Sequence, residues 1–231
     1  MKTKLHHFLR EEWLQLLLLI IPIAAAFIAM PYATDRVPMQ WNLQGQVNWH
    51  ASKTWGLLVM PGAMLITFAL IFWLESRDRQ RHRSSDGELS SHGKATRLIR
   101  LGISLMLAAI TIIQITAALG HRPDVGRWVV TLTALLLAFM GNFFGKLKPN
   151  KYVGIRIPWT LKSEHVWRQT HRLAGWVWTS SSLIVAALGW ILPTATLHQE
   201  LTYIWMFFLV VVPIAFAGYE AHQEKKRLSL T

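Results

Sequence analysis

No cysteine occurs anywhere in the 231 residues, which removes disulfides, thiolate metal ligands and a cysteine nucleophile together. Charge is scarce as well: 16% of residues are Asp, Glu, Lys or Arg, where a soluble domain of this length carries about a quarter. The scarcity is uneven. Six stretches, roughly 14–30, 55–74, 101–119, 128–144, 173–192 and 201–219, hold no Asp, Glu, Lys, Arg or His. Proton pumps and ion-coupled carriers usually place an ionisable group at membrane depth, so this absence argues against them. There is no visible internal repeat, and neither a nucleophile–base pair nor a metal triad can be read from the residues. The expectation is a protein that is not an enzyme and needs no metal and no cofactor.

What is present is apolar: 52% of the chain, collected in those same six blocks. Each has about 17 to 20 residues, enough to cross roughly 30 Å of hydrocarbon as a helix. Lipid offers no partner to the backbone, so each block must satisfy its amides internally and is expected to be helical. The first block follows Lys2, Lys4 and Arg10 as a signal peptide would. Its apolar run is too long, however, and Pro31 and Tyr32 follow where small residues belong, so it reads as an uncleaved first span. Pro22, Pro61 and Pro213 fall inside spans, where local kinks explain them more simply than the broken helices of a transport site. Gln114, Thr111, Thr116, Thr131, Thr133 and residues 179–182 are the polar groups of the spans, and their expected role is to cement helix packing.

The net charge of +12 does not point to nucleic acid, because its placement follows topology. Lys and Arg number three before the first span, seven in 76–100, seven in 145–172 and three in the tail. On the other side stand Arg36, Lys53, Arg122 and Arg127. Twenty against four predicts both termini in the cytoplasm, with the basic loops facing anionic headgroups. Segment 76–96, polar and alternating in charge, reads as a solvated cytoplasmic loop.

In the first outer loop, Val37, Met39, Trp41, Leu43, Val47 and Trp49 occupy odd positions and polar residues or Pro38 occupy even ones, interrupted by Gly45. This period of two predicts a short β-hairpin turning near Gln44–Gln46, with Trp41 and Trp49 on one face.

The inner loop 145–175 reads GKLKPNKYVGIRIPWTLKSEHVWRQTHRLAG. Its first half contains Pro149, Gly154 and Pro158 and cannot be one helix. Ser163 is a good N-cap for a helix that continues into the fifth span, on which Glu164, Trp167, Arg168 and His171 share a face and Glu164 can pair with Arg168. His165 and His171 are six apart, roughly 120° around a helix, and so cannot chelate one ion. An aromatic belt with a basic rim explains most of the loop, but the interleaved turn residues require a specific fold against the helix ends. The expected pocket gathers Asn150, Arg156, Trp159, Trp167 and His171, with Arg156 and Lys148 ready for an anionic group.

The run GNFFGKLKPNKYVGIRIPWTLKSEHVWRQTHRLAG resembles the signature of the SdpI family of bacterial multi-pass membrane proteins, and VPMQWNLQGQVNWHASK resembles the domain of unknown function that commonly precedes it. The matching positions are Pro38, Trp41, Asn42, Gly45 and Lys53 in the outer loop. In the inner region they are Gly141, Asn142, Lys148, Pro149, Asn150, Gly154, Arg156, Pro158, Trp159, Thr160, Trp167, Thr170, His171 and Gly175. Relatives often carry His before the Trp-Asn pair, where this chain has Gln40, which further weakens any metal reading. The family is named for immunity against a secreted, membrane-damaging peptide, and some members are thought to signal by holding a cytoplasmic repressor.

The expected fold is therefore an all-α membrane protein of six transmembrane helices, N-in/C-in, with a small outer β-hairpin. The expected divisions are a two-helix unit with its hairpin loop (1–75), a basic linker (76–100) and a four-helix SdpI-like region (101–231). The resemblance implies a bacterial cytoplasmic membrane protein with the lipid bilayer, an outer peptide toxin or envelope ligand, and an inner regulator as partners, and Trp41, Asn42, Lys148, Asn150, Arg156, Trp159, Trp167 and His171 as binding residues. A transporter or flippase for a lipid-like or peptide substrate is the competing class.

Overall fold

A computed structural model describes residues 2–42, 46–79, 91–150, 153–192 and 195–229. Helix α1 (Lys2–Ala29) runs through a short 3-10 turn into strands β1 (Arg36–Trp41) and β2 (Val47–Ser52). Helices α2 (Lys53–Arg79), α3 (Ser91–Ala118), α4 (Val125–Phe144), α5 (Pro158–Lys162), α6 (Glu164–Ile191) and α7 (Ala195–Leu228) follow. Six of these helices are long and apolar enough to cross a membrane: Glu12–Tyr32, Lys53–Leu74, Arg97–Ala118, Val125–Phe144, Glu164–Ile191 and Glu200–Leu228. The fold class read from the sequence is thus what the chain adopts, a multi-pass helical membrane protein with a two-stranded hairpin. The segment expected to be a solvated loop is helical at both flanks, through Arg79 and from Ser91, and residues 80–90 lie outside the described ones.

The chain forms two compact units, Met1–Trp73 with Arg100–Val129, and Leu74–Ile99 with Val130–Thr231. In the first, small side chains allow close approach: Ala26, Ala29, Ala33, Val37, Leu57, Ile115 and Ala118 form a core beneath the hairpin. At Gly56 the approach is closer than any side chain permits, since a methyl there would lie 2.4 Å from Val37 Cβ. The hairpin pairs antiparallel, Val37 opposite Ala51, and both are buried. The strict alternation then fails. The register slips around Met39, so Trp49 lies opposite Gln40 rather than Met39, and Trp49 is 55% exposed while Trp41 is half-buried. A bulge re-aims side chains in this way. What supports it is Gln114, which donates to the Pro38 carbonyl at 2.6 Å and lies 3.2 Å from Met39 Sδ. That span glutamine serves the hairpin. Leu43, Gln44 and Gly45, the expected turn, lie outside the described residues; Asn42 and Gln46 close it.

In the second unit, α4 and α6 meet backbone to backbone: a methyl on Gly175 would sit 2.8 Å from the Gly141 carbonyl oxygen. Small residues permit such contact, which holds membrane helices where no hydrophobic effect acts between them. Hydroxyls cement the same interface, Thr179 donating to Ala138 O at 3.2 Å and Trp190 Nε1 to Thr131 Oγ1 at 3.0 Å. Pro213 has no N–H, so the Leu209 carbonyl four residues earlier loses its helical donor. Trp178 Nε1 supplies one at 3.0 Å. The hydrogen bond that the proline of the last span removes is thus replaced by a side chain of the neighbouring helix.

Candidate functional site

The loop 145–163 of the second unit is folded by its own hydrogen bonds. Asn150 donates through Nδ2 to the carbonyls of Lys148 and Val153, each at 2.9 Å, and accepts the Val153 N–H at 2.7 Å. The chain then turns at Gly154, φ +119°, where a methyl would meet His171 Nε2 at 2.5 Å and the Trp167 ring at 3.1 Å. Only glycine allows both that backbone angle and that approach. His171 Nε2 accepts the Ile155 N–H at 2.9 Å while Nδ1 lies 2.8 Å from the Trp167 carbonyl. An acceptor at Nε2 and a carbonyl at Nδ1 assign the hydrogen to Nδ1. Trp167 stacks on His171 with centroids 4.0 Å apart and donates to Leu147 O at 2.8 Å.

Past this cluster Pro158 opens the five-residue α5, the position where its missing N–H costs nothing. Thr160 Oγ1 accepts the Ile157 N–H at 3.1 Å and donates to Ile155 O at 2.7 Å, closing the turn. Trp159 lies over α7 at Gly218, where a methyl would come within 3.2 Å of its ring. Ser163 caps α6 by accepting the Val166 N–H, as its sequence context predicts, and donates to Glu224 at 2.7 Å, while His165 Nε2 lies 3.4 Å from Glu220. The loop therefore has the specific fold that its turn residues require.

The structure places the expected residues in three groups. Trp167 and His171 are buried together, and Asn150 orders the turn leading to them. Trp159 belongs to the α7 contact and is 46% exposed. Lys148 is exposed and uses its carbonyl, and Arg156 is exposed with no hydrogen bond or ion pair to a described residue. Ile155, not Arg156, meets His171, through its N–H, and the Arg156 side chain stays at the surface. Glu164 and Arg168 are both exposed and do not pair with each other.

On the hairpin, Asn42 is committed to the turn: its N–H donates to Gln46 O at 2.9 Å and its Oδ1 accepts the Gln46 N–H at 2.8 Å. Trp41 pairs with Val47. Beside the strands, Met39, Trp49, His50, Trp55 and Val59 border an apolar cavity of about 410 Å3.

The sequence reading missed a buried ion pair. Arg100 donates to Glu12 at 2.6 Å, the two are 0% and 2% exposed, and Phe68 and Phe72 hold the guanidinium with each ring centroid 5.5 Å from Cζ. Gln15 donates to Ser104 beside it. The six apolar stretches hold no ionisable residue; Glu12 and Arg100 lie just outside them, within the longer candidate spans Glu12–Tyr32 and Arg97–Ala118, and His171 is buried within Glu164–Ile191. The available signal was spacing. Glu12 with Gln15, and Arg100 with Ser104, are three and four apart, so each polar pair shares one helix face.

Residues 146–220 match the SdpI/YfhL protein family, and residues 17–65 match the domain of unknown function DUF1648. The chain is 21% identical over 226 residues to Immunity protein SdpI of Bacillus subtilis (strain 168), covering 96% of this chain and 99% of that protein. No solved structure matches it. The two matches fall in the order that the motifs predict.

Proposed function

We propose that this SdpI-like membrane protein of the bacterial cytoplasmic membrane is a non-catalytic immunity protein against a membrane-active peptide, and that its inner loop engages a cytoplasmic partner. The observation that carries the reading is similarity along 96% of the chain to a protein named for immunity. Two folded elements support it: a hairpin whose exposed Trp49 borders an apolar cavity, and a loop held in one shape by Asn150, Thr160 and His171. A sensitive strain without its own immunity protein, expressing this chain, is expected to survive challenge by a peptide-producing strain. Trp49→Ala, at an exposed position, is expected to lower protection at an unchanged membrane level. Killing at the rate of empty-vector cells would refute the reading.

The twenty-to-four charge asymmetry supports an orientation with the hairpin outside and the basic loops inside. In this cysteine-free chain, single cysteines at Gln46 and Pro123 are expected to react with an impermeant thiol reagent in intact cells, and those at Ser85 and Lys151 only after lysis. Labelling at position 85 in unbroken cells would overturn that orientation.

A further inference from the structure

Helix α6 enters the membrane with one face that the loop does not cover. Arg168, Arg172 and Trp176 are spaced by four on it and all are exposed, Trp176 by 74%. Leu183 and Ile184 continue the exposed surface two turns further. At the head of that face, Gly145, His165, Arg168, Gln169 and Arg172 border a cavity of about 330 Å3. Neither arginine has an acidic partner among the described residues. Glu164 is exposed and forms no ion pair among the described residues, Glu220 faces His165 at 3.4 Å, and Glu224 accepts from Ser163.

We propose that this cleft binds the phosphate of an anionic phospholipid, with Arg168 and Arg172 on the phosphodiester and the Trp176–Ile184 surface along the acyl chains. A guanidinium offers paired donors matched to phosphate oxygens, and two of them one helical turn apart can grip one group from two sides. Gln169 adds a neutral amide that can donate to a phosphate or glycerol oxygen. The apolar face directly below selects an amphiphile over a free ion, because the same helix that positions the arginines presents a surface only hydrocarbon covers favourably. Gly145 borders the cleft without a side chain, and a methyl there would touch nothing within 4 Å, so a larger side chain has room beside the arginines. This site involves neither the hairpin nor the Trp167–His171 cluster and does not depend on the immunity reading.

The test uses the full chain in detergent, exposed to phosphatidylglycerol, phosphatidylcholine or inorganic phosphate, with retained molecules counted by native mass spectrometry. Preferential retention of phosphatidylglycerol is expected, falling about tenfold or more in Arg168→Gln/Arg172→Gln. Gly145→Leu, which adds a bulky side chain at the border of the cleft without removing charge, is expected to show the same loss. Lys225→Gln/Lys226→Gln removes an equal charge at the exposed end of α7 and is expected to retain the lipid as the unaltered protein does. Equal loss in the lysine variant would reduce the effect to diffuse electrostatics and overturn the site. So would unchanged retention in the arginine or Gly145 variants. Retention of inorganic phosphate with no preference for the lipid would overturn the lipid assignment.

Discussion

Replacing Glu12 by Gln is expected to destabilise the first unit by about 3–5 kcal/mol, the cost of leaving one member of a buried ion pair without its counter-charge. Arg100 is fully buried against Glu12 and between Phe68 and Phe72, so a neutral side chain at 12 leaves a guanidinium where water cannot reach it. Arg100→Ala is expected to cost as much, adding lost packing against both rings to the loss of the guanidinium beside the Glu12 carboxylate. The informative variant is Glu12→Leu/Arg100→Met, which removes both charges and keeps volume. Its stability should return to within about 1–2 kcal/mol of the unaltered protein, or exceed it, because desolvating two ions offsets most of their attraction. Thermal unfolding of the purified proteins in one detergent, with Glu12→Leu and Arg100→Met added as the matching single variants, measures all four corners of the cycle. Additive losses, with the double variant as unstable as the sum of the singles, would mean that the two residues do not act as a pair.

The second large effect belongs to Gly154. Gly154→Ala is expected to unfold the loop 145–163 locally, at a cost of about 3 kcal/mol or more. Part is backbone strain of roughly 1–3 kcal/mol for a side chain at φ +119°, and part is overpacking of similar size against His171 and Trp167. The loss should be visible as new trypsin cleavage at Lys146, Arg156 or Lys162 with the spans intact. Gly154→Ala/His171→Ala is expected to stay cleavable, because it relieves the 2.5 Å overlap but keeps the strain and removes the acceptor of the Ile155 N–H. A loop as protease-resistant in Gly154→Ala as in the unaltered chain would show that the turn is not held by this contact.

Some elements were legible in one dimension because the physics that forms them is local. A span announces itself as a run of apolar residues, since lipid accepts nothing else along an exposed helix. Ser163 reads as a cap because the groups it satisfies lie within the next turn. The hairpin was legible from its period of two, yet its bulge at Met39 was not, because the support comes from Gln114 on a helix more than seventy residues later. Gln114 itself read as a helix-packing residue for the same reason.

The sequence by itself determined the solvent, the number of spans, the presence of a hairpin, and the need for a shaped loop between the fourth and fifth spans. Each follows from composition within a window of a few turns. Only the tertiary structure decided which residues that loop gathers: Trp167 and His171 around Gly154, with Arg156 left to solvent. It alone brought Glu12 to Arg100, and Trp178 to the carbonyl that Pro213 leaves unbonded. These are pairings between separate helices. A hydrogen bond or ion pair across such a distance in sequence depends on which helix faces meet, and residue spacing along one helix sets a face without naming its partner.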